Sequence, residues 1–245
     1  MAKAPQQEQH RLLDLQAFDS RLQALKRRAA ELAQDPGVAA AAAIGATLRA
    51  ELAEADAAQE EARAALAASE QEVERVQARI EKDRKQLESG FGDSKSLMGL
   101  QHELETLAAR KSELEDAELE LMEALEEVGA AREQAAAASA QADAALAAEE
   151  ARRDSELEAV GAERGEVQSG RDALSAELDP GLLALYEKRL AQRGIGAARL
   201  YHGASEGSGM KLAPGDLAEI KAAADDDVVY CPDSGCILVR SADWN

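Results

Sequence analysis

Both cysteines of this 245-residue chain fall in one short stretch, VVYCPDSGCILVR (228–240), as Cys231 and Cys236. Thiols flanking a Pro-Asp-Ser-Gly turn are the raw material of a metal-binding knuckle, but structural zinc takes four thiolate or imidazole donors, and this stretch reads as half of such a site. A set that recruits His202 beside Cys231 and Cys236 would rest on Cys-x4-Cys spacing with no second close pair, which is a poor match to zinc patterns. Ser205 and Ser208 with His202 offer a nucleophile and a base in type only, because no glycine elbow frames either serine. No phosphate-cradling glycine loop is present, nor a carboxylate pair framed by strands. The expectation is a protein that is not an enzyme.

Short C-terminal elements must position these residues. ELDPGLLALYEKRLAQRG predicts a helix over 180–192, with Asp179 as N-cap, Pro180 at the first helical position and Gly194 as terminator. AARLYHG and GMKLAP alternate like strands around ASEGSG, PGDLAEIKAAA reads as a capped helix, and VVYC and CILVR flank PDSG as a second hairpin. Four of the six aromatics, Tyr186, Tyr201, Tyr230 and Trp244, lie here, so the packed core of a small domain is expected at this end. Its apolar members are expected to be Tyr201, Tyr230, Leu212, Leu217, Ile220, Val228 and Leu238.

The rest of the chain reads as helix. Leu48, Leu52, Ala55, Gln59, Ala62, Leu66, Ser69, Val73, Val76, Ile80, Asp83 and Leu87 alternate in steps of three and four. So do Leu97, Leu100, Leu104, Leu107, Lys111, Leu114, Glu118, Leu121, Leu125, Val128, Arg132 and Ala135. Between the two seams, ESGFGDSKS carries Gly90 and Gly92 to stop one helix and Asp93 or Ser94 to cap the next. The two seams therefore predict an antiparallel hairpin with its tip at about 89–96, and the charged seam residues are expected to snorkel to the rim. QDPGV at 34–38 breaks the first arm, whereas the returning arm meets no proline before Pro180. About eighty helical residues per arm would make a rod of about 120 Å. The fold class is mainly α: a coiled-coil hairpin over 1–178, then a small α+β domain over 179–245.

A formal net charge of -20 disfavours nucleic acid and anionic membranes as default partners. After Asp179, however, the balance is nearly even, and Arg189, Arg193, Arg199, Lys211, Lys221 and Arg240 are candidate nucleic-acid contacts. The N-terminus lacks the apolar core of a signal peptide and VAAAAAIGA is too short to span a bilayer, so a cytoplasmic location without membrane association is expected. A disulfide between Cys231 and Cys236 is not expected there. Leu146, Leu157, Val160 and Leu174 are candidate positions for pairing between chains.

KSLMGLQHELETL at the tip, LLALYEKR in the joining helix, the PGDL turn and the closing C..SG.ILVR together resemble bacterial four-cysteine zinc-ribbon proteins with an N-terminal coiled-coil hairpin. That family occurs among flagellar and secretion regulators and in many non-flagellated bacteria, and the resemblance covers essentially the whole chain. It implies one Cys-x-x-Cys in each ribbon hairpin tip, at positions that here hold Ser205 and Ser208, then Cys231 and Ser234. Three of four ligands are thus serine, a neutral hard donor that does not replace a thiolate on zinc, so the ribbon is degenerate and no zinc or other cofactor is expected. Cys236 lies two residues past the last ligand position. The resemblance also implies chaperone-like or adaptor roles towards sigma factors, secretion components or messenger RNA. Leu97, Met98, Leu100, Gln101, His102 and Glu103 match the family's tip motif and are the candidate partner-binding residues. The expected function is that of an adaptor, with nucleic-acid binding through the ribbon as the alternative.

Overall fold

The computed structural model describes residues 2–244. In chain order these form α1 (Gln6–Ala33), α2 (Pro36–Glu88), α3 (Ser94–Glu177), α4 (Pro180–Arg193), β1 (Ala197–Tyr201), β2 (Ala204–Ser205), β3 (Met210–Lys211), α5 (Pro214–Ala222), β4 (Val229–Tyr230) and β5 (Ile237–Arg240). Helix breaks fall where the sequence places them: α1 stops before Pro36, and α3 continues through its glycines. Asp179 caps α4 by accepting from Leu182 N at 2.9 Å, and Gly194 closes it in the left-handed region. The chain divides into two compact units. One is Pro36–Ala151, and the other joins the segment up to Asp35 to everything from Arg152 onward.

Within Pro36–Ala151, α2 and the first part of α3 run antiparallel about a loop at 89–93. Arg79 Nη2 reaches Glu103 at 2.8 Å and Arg132 Nε reaches Asp56 at 2.7 Å, each from one arm to the other. All the seam positions named above on either arm are buried or half-buried, while most residues between them face water. Asp93 caps α3 as expected, accepting from Ser96 N at 2.9 Å. That bond and one from the Ser96 hydroxyl hold the Asp93 carboxyl below its ordinary range.

One seam residue departs from expectation. Asp83 does not snorkel: it is 1% exposed and is held by Arg79 Nε at 2.7 Å. The short aspartate side chain cannot reach the rim, so the longer arginine comes to it. Such a buried polar layer costs stability and fixes register. Asp83→Leu is expected to raise the thermal midpoint of the helical circular-dichroism signal, by about 1–2 kcal/mol in stability. It should also broaden the oligomeric distribution in sedimentation. A lowered midpoint would show that Asp83 is net stabilising.

In the other unit the strands form a single sheet in the order β3-β2-β1-β5-β4. The two hairpins expected from sequence are joined by a parallel pairing of β1 with β5, Ala197 opposite Ile237 through Leu200 opposite Arg240. The first hairpin also differs in detail. The chain turns at His202 (φ 46°) and Gly203 (φ 69°) directly after β1, so β2 pairs with β1 on one side and with β3 on the other. His202 is therefore a turn residue, not a strand residue.

The sheet separates two apolar layers. On one face Leu12 and Leu15 of α1, Leu182 and Tyr186 of α4, and Ala197, Ile237 and Val239 of the sheet pack together with Ala4 and Val228. On the other, Ala198, Leu200, Val229, Cys231, Cys236 and Leu238 pack with Leu212 and Ile220, flanked by Leu217 and Trp244. Tyr201, expected in the core, is exposed instead, with the Arg199 guanidinium 4.4 Å from its ring centre. Leu174 packs against the first layer, which removes it from the candidates for pairing between chains.

The first residues belong to this layered unit too. Ala4 N donates to Asp226 O at 2.8 Å, Val228 N donates to Ala2 O at 2.9 Å, and the buried Gln9 side-chain amide donates to Ala4 O at 2.8 Å. Farther along, Gln16 Oε1 accepts from Gly196 N at 2.7 Å and Ala197 N at 3.2 Å, tying α1 to the start of β1. Arg28 with Glu156 and Arg21 with Glu163 set α1 antiparallel to the end of α3.

Candidate functional site

The four ligand positions implied by sequence do converge. Ser205 ends β2 and Ser208 lies in the turn to β3, while Cys231 and Ser234 lie in the turn between β4 and β5. Ser208 Oγ stands 4.0 Å from Cys231 Sγ, Ser234 N donates to Cys231 Sγ at 3.5 Å, and Ser234 Oγ donates to Cys236 Sγ at 3.1 Å. Gly207 approaches so closely that a β-carbon there would lie 2.9 Å from Cys236 Sγ. Both thiols are free and buried, at 2% and 0% exposure. Cys236, two residues past the last implied ligand position, belongs to the same cluster through its bond from Ser234 Oγ.

Ser205 is fully buried and its hydroxyl makes no hydrogen bond of ordinary geometry. Its oxygen faces the Cys231 sulfur and favours the thiolate there. Burial alone would disfavour ionisation of Cys231. The surrounding hydroxyls of Ser205 and Ser234, with the amides of Ser234 and Asp233, outweigh it and bring the thiol below the ordinary cysteine range. Cys236 moves the opposite way, chiefly through its deeper burial and also through the neighbouring Cys231.

This donor set does not fit zinc. It supplies one thiolate at the implied positions and three hydroxyls, and zinc holds tightly only where four soft or imidazole donors close around it. The alternative set with His202 is not assembled: His202 is exposed on its turn, edge-on to Tyr201, and among the described residues no three His, Cys, Asp or Glu side chains are grouped for metal. Supports other than metal are in place around the cluster. The cluster is stitched by S···H–O and S···H–N contacts, and the α1–α4 layer covers the opposite face of the sheet.

The tip residues sort by exposure. Leu97 and Leu100 are half-buried in the seam and close the end of the hairpin. Met98 (71% exposed), Gln101 and His102 point outward, and Glu103 is engaged by Arg79. Phe91, within the ESGFGDSKS turn, is 90% exposed between Gly90 and Gly92. A lone aromatic between two glycines was the available signal.

One of the basic candidates is internal. Arg240 is 5% exposed and donates to the carbonyl oxygens of Ala223, Ala224, Asp225 and Asp227 at 2.7–3.2 Å, so it braces the α5–β4 loop from inside. Arg189 lies over the Tyr230 ring at 4.4 Å, and Arg199 over Tyr201 at the same distance. Arg193 rests against Gly235 beside the second turn, and Lys211 is exposed on β3.

Comparison with known proteins agrees with this geometry. Residues 15–194 match the family model described as a CT398-like coiled-coil hairpin domain, and residues 204–238 match that of a C4-type zinc ribbon domain. An uncharacterised protein of Mycobacterium tuberculosis (strain H37Rv) is 37% identical over 238 residues, covering 97% of each chain. One from Mycobacterium leprae is 29% identical over 171 residues, 69% of this chain and 72% of that one. A solved structure from Mycobacterium smegmatis superposes with a TM-score of 0.86 at 33% identity, covering 98% of this chain and all of that one. The structure of CT398 from Chlamydia trachomatis shares the fold, with a TM-score of 0.64 at 17% identity over 96% of this chain and 98% of that one.

Proposed function

Because the chain belongs to the CT398-like coiled-coil hairpin family, we propose that it is a non-enzymatic interaction protein that docks a protein partner on the tip of its hairpin. The observation that carries this reading is the exposure of Phe91 and Met98, at 90% and 71% the two most exposed large apolar side chains among the described residues, both at the hairpin tip. Flexible methionine and rigid aromatic surface is what recurs at the centres of protein interfaces. Gln101 and His102 supply polar groups beside it. The serines that resemble nucleophiles face thiols, and His202 lies apart from them, which supports a role other than catalysis. We further propose a cytoplasmic location; among the described residues no helix is long and apolar enough to cross a membrane.

The test is retention of partners from the native cell extract by the immobilised full-length chain. Phe91→Ser with Met98→Ser is expected to lower retention of a specific partner about tenfold or more. Helical content and Trp244 emission should stay unchanged. Substitution at Gln101, His102 and Glu103 should have a smaller effect. Equal retention by wild type and the double variant would remove the tip from this reading.

Nucleic-acid binding through the ribbon is the weaker reading, since Arg240 is internal and two further arginines are stacked on tyrosines. It predicts a steep fall of affinity with salt in a gel shift, which the tip reading does not. The full chain is needed for this comparison because α1 forms one wall of the ribbon's core.

A further inference from the structure

We propose that Cys231 and Cys236 form a two-coordinate site for a soft monovalent cation, with Cu(I) as its biological representative. The strand register carries the two cysteines to opposite positions: they follow the Tyr230–Ile237 pair at the end of β4 and β5, and Cys231 N donates to Cys236 O at 2.9 Å. Ser234 spans both sulfurs, its amide 3.5 Å from one and its hydroxyl 3.1 Å from the other. An unpaired, fully buried hydroxyl, Ser205 Oγ, belongs to the same cluster, the mark of a polar site built for something besides its own side chains.

The donor count selects the cation. Zinc needs four strong donors and finds two, whereas a monovalent d10 ion is satisfied by two thiolates. Binding releases both thiol protons and leaves a bis-thiolate complex with one net negative charge. The Ser234 amide and the hydroxyls of Ser205, Ser208 and Ser234 are donors suited to that charge. Near-complete burial of both sulfurs keeps water and oxidants from the ion.

The test titrates the full-length protein anaerobically with Cu(I) held by a chromophoric Cu(I) chelator. The wild type is expected to withdraw one Cu(I) per chain and, in partially denaturing urea, to slow alkylation of both thiols relative to the metal-free chain, read by mass spectrometry. Cys231→Ala and Cys236→Ala should each weaken binding about hundredfold or more, while Lys211→Ala, at an exposed residue of β3, changes it little. Zn(II) under the same conditions should leave alkylation of both thiols as fast as in the metal-free chain. Failure of the folded wild type to take Cu(I), full affinity in either cysteine variant, or tight zinc held through these thiols would overturn the proposal. Should a cysteine variant unfold, alkylation protection in the wild type decides. This site stands independently of the tip, so either proposal can fail without the other.

Discussion

Tyr186→Ala is expected to remove about 4–5 kcal/mol from the stability of the unit that contains the sheet. Tyr186 is fully buried in α4, and three other elements close on it. Its hydroxyl donates to Asp19 Oδ2 of α1 at 2.6 Å, and Arg171 of α3 donates to the same carboxylate at 2.7 Å. Its ring lies so near the start of β1 that a β-carbon on Gly196 would sit 2.4 Å from it. Burial, and then Asp19, push the phenol's ionisation far above the ordinary tyrosine range, so the donor proton is always present. Truncation to alanine loses the ring's packing and takes one donor from a carboxylate that is only 7% exposed. Tyr186→Phe isolates the second effect and should cost about 1–2 kcal/mol. Urea unfolding followed by emission of Trp244, the sole tryptophan, measures both, because that residue packs in the layer beyond the sheet. A truncation cost below that of Tyr186→Phe would refute the central placement.

Arg240→Met should cost about 3–4 kcal/mol in the same measurement. Its guanidinium is buried and donates to four carbonyl oxygens in the loop from Ala223 to Asp227, of which Ala224 O also accepts from Asp227 N and Asp225 O from Gln9 Nε2. Methionine fills the volume and leaves those oxygens without that partner. Arg240→Lys should recover less than half, since an ammonium cannot reproduce the planar fork. Amide exchange is expected to speed up across residues 223–228 in the methionine variant, and nucleic-acid affinity to stay unchanged. A near-neutral substitution would return Arg240 to the list of surface contacts.

The helical parts were legible because their rule is local. A residue three or four positions from the last seam member lies on the same stripe whatever the remainder of the chain does, and so Leu48 through Leu87 and Leu97 through Ala135 could be named from spacing. Caps at Asp93 and Asp179 obey an equally short rule. Asp83 broke the pattern because rim access depends on side-chain length, which periodicity does not contain. Pairing of β1 with β5 and closure of α1 beneath the sheet join residues far apart in sequence, and no short-range signal announces them. Arg240 looked like a surface cation for the same reason: its four acceptors are carbonyls, which every residue has. In the candidate metal site, the serines were legible as substitutes only through family resemblance, and Cys236 entered the cluster through strand register.

The docking of Ala4, Leu12 and Leu15 against strands formed by residues beyond 228 has a consequence for biosynthesis. The opening helix leaves the ribosome well before the surface that covers it. At typical elongation rates the delay is on the order of ten seconds or more. Through that interval Leu12 and Leu15 present an unsheltered greasy stripe, an obvious docking point for nascent-chain chaperones, while α2 and the early turns of α3 can already zip together.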